Sequence, residues 1–278
     1  MQIPDPLPRE VLLVAHSIFQ LCGEACITGS APLTKLFYDH ATGIKKQQNF
    51  CNLDLILKNI RSNDVDIFAP LSPGRLADSR KLDSQGITTN SMERAQIAET
   101  RSQCINFYHP EFSFDAFEEF LFIQHGYRII NHKTIFVHPH SIDEETHWNW
   151  SGATSGIARI HNFGLCHPSK QFNLQLILVD SYPPPNQDWL TFITNNFDIS
   201  IVKAGVHIEH LDSLGKLIFP DKLLNQIISG SFTYFVRPGV PYKEMLQRIF
   251  KYTKRGFKLN NMCFHQDCSP SHKQAMMF

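Results

Sequence analysis

An acidic segment at residues 64–68 restricts this chain more than any other part of its sequence. Asp64 and Asp66 alternate there with Val65 and Ile67. Alternation with a period of two predicts a β-strand that buries one face and turns the other toward polar surroundings. On such a strand the two carboxylates project from the same side, with their Cα atoms roughly 6–7 Å apart.

The carboxylates of Asp64 and Asp66 admit two interpretations. Two like charges side by side are unfavourable unless a cation offsets the repulsion, and together they could hold a divalent metal ion. The alternative is an ordinary edge strand or turn with two solvated acids, because the Asp-x-Asp pattern is common.

A glycine–serine step upstream favours the metal interpretation. A short apolar run at residues 25–28 ends at Gly29 and Ser30, and a pattern typical of a helix follows, with Pro32 in its first turn. Glycine lets the backbone approach an anion, and the free amides of a helix start can bind it, so strand, Gly-Ser and helix together suit phosphate. For this segment alone, a capped helix after a strand is the alternative.

The Gly-Ser turn followed by Asp-x-Asp on the next strand resembles the nucleotidyltransferase-fold superfamily, whose members are DNA polymerase β-like. The superfamily includes poly(A) polymerases, CCA-adding enzymes, and antibiotic and toxin-like nucleotidyltransferases. Residues 174–178, 196–200 and 248–257 are similar to less characterised fungal, viral and phage members. The resemblance therefore extends through short motifs over residues 25–257.

This resemblance implies transfer of a nucleoside monophosphate from an NTP to an acceptor by a two-metal mechanism. Gly29 and Ser30 would bind the β- and γ-phosphates, and Asp64 and Asp66 would hold Mg²⁺ or Mn²⁺. One ion would activate the acceptor oxygen, and the other would steady the leaving pyrophosphate. The implied acceptor is a protein, an RNA or a small molecule.

The chain departs from the superfamily at the third carboxylate. The strand predicted at residues 171–179 carries Gln175 where an acid is expected, and a neutral amide oxygen binds a metal more weakly. Asp198, at the start of a strand predicted at residues 197–202, is the replacement that we expect, although it could be a strand-end acid that accepts backbone hydrogen bonds. Without a third carboxylate, the chain would be a catalytically inactive binding or scaffold module.

A basic stripe is predicted on a helix over residues 242–255. Lys251 and Arg255 belong to it, and a second stripe on the same helix is apolar. Beside a nucleotide site, these cations could contact the triphosphate or a nucleic-acid acceptor. A solvated helix face is the alternative.

Length and composition predict a mixed α/β protein. The 278 residues include 26 basic and 26 acidic side chains, which argues against a protein that coats nucleic acid through general positive charge. We expect a nucleotidyltransferase-like core sheet flanked by helices at residues 8–210, with a polar insertion at about 71–105. A mostly helical C-terminal part and tail would follow at residues 211–278.

The apolar stretches are too short to span a membrane, and the N-terminus lacks a signal pattern. Seven cysteines without disulfide spacing favour a reducing compartment, so we expect a cytoplasmic protein that does not bind membranes. Cys263, Cys268 and His272 are zinc ligand types that could meet on one ion, although their spacing matches no established pattern and a polar tail is the alternative.

Overall fold

The computed structural model describes residues 5, 7–45, 53–60, 64–72, 111–136, 157–167, 170–181, 183, 187–208, 217–236 and 241–264. The nine strands within these ranges are β1 (Cys26–Thr28), β2 (Val65–Pro70), β3 (Arg128–Phe136), β4 (Ile157–His167), β5 (Lys170–Val179), β6 (Gly205–His207), β7 (Leu217–Ile218), β8 (Ser231–Val236) and β9 (Lys258–Phe264).

Seven of these strands form one mixed sheet in the order β3-β4-β5-β2-β1-β6-β7. Strand β2 runs parallel to β5 and antiparallel to β1, and the remaining neighbours in the sheet are antiparallel. The predicted acidic strand therefore lies at the centre of the sheet, between β5 and β1. The mixed α/β class is confirmed.

Helices cover both faces of this sheet. The helices that the structure describes are α1 (Arg9–Cys22), α2 (Ser30–Lys45), α3 (Leu53–Asn59), α4 (Phe114–His125), α5 (Trp189–Asn195), α6 (Asp221–Ser229) and α7 (Tyr242–Lys254), together with a 3₁₀-helix at Ser200–Val202. None of them combines the length and apolar character that crossing a membrane would require.

The alternation in β2 divides its side chains between two hydrophobic cores. Val65 and Ile67 belong to one core, formed with α1 and α4. Phe68 belongs to the other, formed with α2, α5 and elements of the C-terminal part. Since both faces are buried, Asp66 lies on a largely apolar face rather than on a solvated one.

The prediction of a mostly helical C-terminal part is wrong. Strands β8 and β9 form a second, parallel two-stranded sheet, and α7 is the connection between them. A helix between two parallel strands satisfies the length that a parallel crossover requires. The aromatic and β-branched sequence of β8 favours a strand, which the helical stripe of α7 alone did not indicate.

The strand predicted at residues 197–202 is also wrong. Ile199 makes a single bridge to Tyr234 of β8, and a 3₁₀-helix follows directly. Ile199, Ile201 and Val202 are all buried, so burial here does not alternate as it would along a half-exposed strand. The hydroxyl of Ser200 accepts a hydrogen bond from the amide of Thr233 at 2.9 Å, which fixes the segment against β8.

Two predictions fall outside the described residues. The polar insertion at 71–105 is described only at residues 71 and 72, and Cys268 and His272 follow the last described residue, 264. Cys263 lies on β9. The boundary expected at residue 210 stays a prediction, although one hydrophobic core includes side chains from both sides of it.

Gly205 allows a close approach between β6, β1 and α5. A Cβ atom at this position would overlap the Cδ1 atom of Leu190 and lie 2.9 Å from the carbonyl oxygen of Ile27. The carbonyl belongs to a central strand, so it cannot move without disturbing the sheet.

We expect Gly205→Ala to lower the free energy of unfolding by about 1–3 kcal/mol, because overpacking a tight core displaces backbone. Chemical denaturation followed by circular dichroism measures this value. Lys222→Ala, an exposed change on α6, serves as the control and should stay within about 0.5 kcal/mol of wild type. Equal stability of the two variants would contradict the packing described for β6.

Candidate functional site

The Gly-Ser turn and the acidic strand meet in the structure. Gly29 has a φ of 86°, which favours glycine, and α2 begins at the next residue, Ser30. A Cβ atom at Gly29 would lie 2.7 Å from Oδ2 of Asp66. The turn at the start of α2 and the Asp66 carboxylate are therefore in direct contact, as the sequence motif predicts.

The Asp66 carboxylate lies in an unfavourable environment for its charge. Burial and, to a lesser degree, the charge of neighbouring Asp64 raise its pKa from 3.8 to about 7, although Lys251 and Arg248 act in the opposite direction. Asp64 itself is exposed just before β2. A cation placed at this pair would relieve the same repulsion.

Helix α7 supplies the positive charge that faces the two carboxylates. Burial, together with the charges of Arg255 and Arg248, lowers the pKa of Lys251, and Asp64 and Asp66 partly offset this effect. The guanidinium of Arg255 lies 5.1 Å from the ring centroid of Tyr252. Lys251 and Arg255, both predicted as nucleotide-binding, are thus electrostatic neighbours at the C-terminal end of α7, and Lys251 also interacts with the two carboxylates.

Asp198, the predicted third carboxylate, forms an ion pair with Arg248. Its Oδ1 and Oδ2 atoms lie 2.6 Å and 2.5 Å from Nη2 and Nε of the guanidinium. Burial acts to lower the pKa of Arg248, but the charge and hydrogen bond of Asp198 raise it overall. The carboxylate is thus already neutralised, and its part in metal binding stays a prediction.

Asp66 belongs to a row of polar side chains that crosses the sheet. Thr28 of β1, Asp66, Gln175 of β5 and Asn162 of β4 are successive register partners. The amide nitrogen of Gln175 donates to Oδ1 of Asn162 at 2.6 Å. The hydroxyl of Thr28 is buried and makes no hydrogen bond to any residue that the structure describes.

Sequence reasoning missed Thr28 and Asn162. Both are short polar residues inside or beside predicted strands, and nothing in their local pattern distinguishes them. Only the pairing register places them beside Asp66, and register is set by contacts distant in sequence.

Within the described ranges, no three His, Cys, Asp or Glu side chains come together as a metal site. Asp64 and Asp66 remain as the carboxylate pair. Two carboxylates fit Mg²⁺, which in phosphate-handling sites takes its other ligands from phosphate oxygens and water.

Comparison with known proteins adds little. No family model and no curated protein matches the chain. A solved structure described as a tRNA-processing enzyme in apo form I is 14% identical to this chain, with a TM-score of 0.38. The matched region includes 99% of this chain and 46% of that structure's chain. Another, described as a tRNA-processing enzyme complex 3, is 12% identical with a TM-score of 0.37, covering 94% and 44%. The chain spans less than half the length of these structures, and at these TM-scores the similarity assigns no function.

The raised pKa of Asp66 predicts a pH-dependent stability without metal. Because the folded protein holds this proton more tightly than the unfolded chain, Asp66 lowers the free energy of unfolding progressively as pH rises from about 4 to about 7. Relative to wild type, the free energy of unfolding of Asp66→Asn should increase by about 2–4 kcal/mol between these pH values. Above about pH 7 the difference between the two proteins should stay constant. Denaturation in chelator at several pH values measures the difference.

Asp115→Asn on α4 is the matched control, since it removes an exposed carboxylate far from Asp66 in sequence. Its difference from wild type should change less across the same interval. A constant difference between Asp66→Asn and wild type would contradict the desolvated state of the carboxylate.

Proposed function

We propose that this chain is a metal-dependent nucleotidyltransferase that moves a nucleoside monophosphate from an NTP to a hydroxyl-bearing acceptor. The observation that carries the proposal is the contact between the Gly29 turn and the Asp66 carboxylate. It brings a backbone suited to phosphate and a pair of acids suited to a divalent cation into one place.

The triphosphate would bind between α2 and α7. The start of α2 offers backbone amides with the positive end of the helix dipole, and the Ser30 hydroxyl lies at the same position. From the other side, Lys251 and Arg255 offer charge to the phosphate oxygens. Burial is the main cause that lowers the pKa of Lys251, and the NTP would offset the second cause, the nearby charges of Arg255 and Arg248.

Asp64 and Asp66 would hold Mg²⁺ or Mn²⁺ together with oxygens of the nucleotide. The bound ion would supply charge stabilisation for the phosphoryl group and for pyrophosphate. In the reaction, an acceptor oxygen forms a bond to the α-phosphorus, the bond from that phosphorus to the bridging oxygen breaks, and pyrophosphate leaves. The acceptor proton passes to water.

Asp198 would contribute through Arg248. Its carboxylate holds the guanidinium in a two-point ion pair, and Arg248 in turn lowers the pKa of Asp66. We therefore assign Asp198 a positioning role in this proposal. Asp64 and Asp66 remain the primary metal ligands.

An inactive binding module is the second candidate function. Gln175, rather than an acid, is the register partner of Asp66, and its amide is engaged by Asn162. A site with two acids and neutral amides could bind a metal–nucleotide complex yet support no transfer.

Incubation with α-labelled NTPs and Mg²⁺ or Mn²⁺, in the presence of unpaired RNA and of NTP-free cell extract, tests the enzyme proposal. We expect labelled product with wild type. With Asp66→Asn the rate should be lower by about a hundredfold or more, because a metal ligand is lost. Asp115→Asn should retain wild-type activity. Nucleotide binding without any labelled product would instead favour the inactive module.

We expect Lys251→Ala to weaken NTP binding by about tenfold or more, since a hydrogen bond to a charged phosphate is lost. Equilibrium binding of a fluorescent NTP in Mg²⁺ measures the dissociation constant. Lys222→Ala, a lysine on the exposed side of α6, is the control and should bind as wild type does. Equal affinity of Lys251→Ala and the control would remove α7 from the triphosphate site.

A further inference from the structure

An apolar stripe lies exposed along α7. Tyr242, Leu246 and Phe250 follow one another at intervals of four residues, and their exposed fractions are 70%, 44% and 60%. Residues four apart lie on one side of a helix, so the three side chains form a line about 12 Å long at about 1.5 Å per residue. Single exposed apolar residues are ordinary, but a contiguous group indicates a binding surface.

Two lysines flank this stripe, which lies in a segment rich in positive charge. Residues 242–258 contain six lysines and arginines and one acid, whereas the whole chain has equal numbers of both. The Nζ atom of Lys254 lies 5.1 Å from the ring centroid of Phe250, and Lys243 is exposed beside Tyr242. Aromatic rings alternating with cations complement a partner that carries both flat rings and negative charge.

We propose that the stripe formed by Tyr242, Leu246 and Phe250, with Lys243 and Lys254, binds a single-stranded nucleic acid. Bases stack on exposed aromatic side chains, and neighbouring lysines bind the backbone phosphates. A duplex hides the faces of its bases, so the rings would contribute nothing to binding it. A protein partner would use the apolar side chains but would leave the lysines without phosphates to bind.

The position of α7 makes the bound single-stranded nucleic acid the acceptor of the nucleoside monophosphate, a step that rests on the proposed function. Phe250 belongs to the outward stripe, and the next residue, Lys251, is turned by about 100° around the helix, toward Asp64 and Asp66. One helix thus presents a stacking surface and the cations of the proposed triphosphate site on adjacent sides. A terminal hydroxyl of the strand would attack the α-phosphorus, with pyrophosphate leaving and the hydroxyl proton passing to water.

Fluorescence anisotropy with a labelled, unpaired RNA of about twelve nucleotides tests the binding surface. The double variant Tyr242→Ala/Phe250→Ala should bind about tenfold or more weakly than wild type. Phe122→Ala is the matched control, because it removes an aromatic ring that is 49% exposed on α4. It should bind within about twofold of wild type, and binding by wild type should weaken as salt is raised.

Three results would overturn the proposed surface. They are no binding by wild type, equal binding by wild type and the double variant, and an altered oligomeric state of the double variant by light scattering with RNA binding unchanged. The last would make the stripe a protein interface. Circular dichroism of the double variant confirms that it folds, since both changed side chains are exposed.

Binding of a fluorescent NTP, measured on the same samples, separates this inference from the proposed function. The double variant should bind NTP as wild type does, because neither ring belongs to the triphosphate site. A wild-type protein that binds NTP but not RNA overturns the inference and leaves the proposed function standing. A wild-type protein that binds RNA but not NTP overturns the proposed function and the acceptor role, while the surface remains.

Discussion

The stability of the folded protein depends on how the carboxylate of Asp66, which the fold partly removes from water, is neutralised. Asp66 lies at the centre of the sheet, close to Asp64, in a row of polar side chains on a face whose other residues belong to an apolar core. The charges that oppose the pair come from Arg248 and Lys251, nearly two hundred residues later in the chain. The acid pair and α7 therefore interact electrostatically, although β2 lies in the seven-stranded sheet and α7 connects the strands of the two-stranded sheet.

The sequence predicted the elements whose pattern is strong and local. Helix α7 has a clear apolar stripe, β2 has strand periodicity and β5 is largely apolar, so each lies close to its predicted position. The contact between Gly29 and Asp66 followed from a motif, because both residues lie at the ends of adjacent elements. Such features need only short-range information.

The remainder depends on contacts that no local pattern records. The segment at residues 197–202 has strand-like composition, yet its docking against β8 makes it a bridge and a 3₁₀-helix. The pairing of Asp198 with Arg248 and the alignment of Gln175 with Asp66 depend on tertiary packing and strand register. The resemblance to nucleotidyltransferases implied roles for the acid pair but not the state of these partners.

The position of α7, between the parallel strands β8 and β9 in the chain, has a thermodynamic consequence. The helix carries Lys251 on one side and the rings of Tyr242 and Phe250 on another, and β8 and β9 hold its two ends. A displacement of this helix would shift both sets of side chains together. If a ligand bound on one side changes the preferred tilt of the helix, it changes the affinity of the other side for its own ligand. Linkage then requires the second ligand to change the affinity of the first by the same free energy, so the two affinities would be reciprocally coupled.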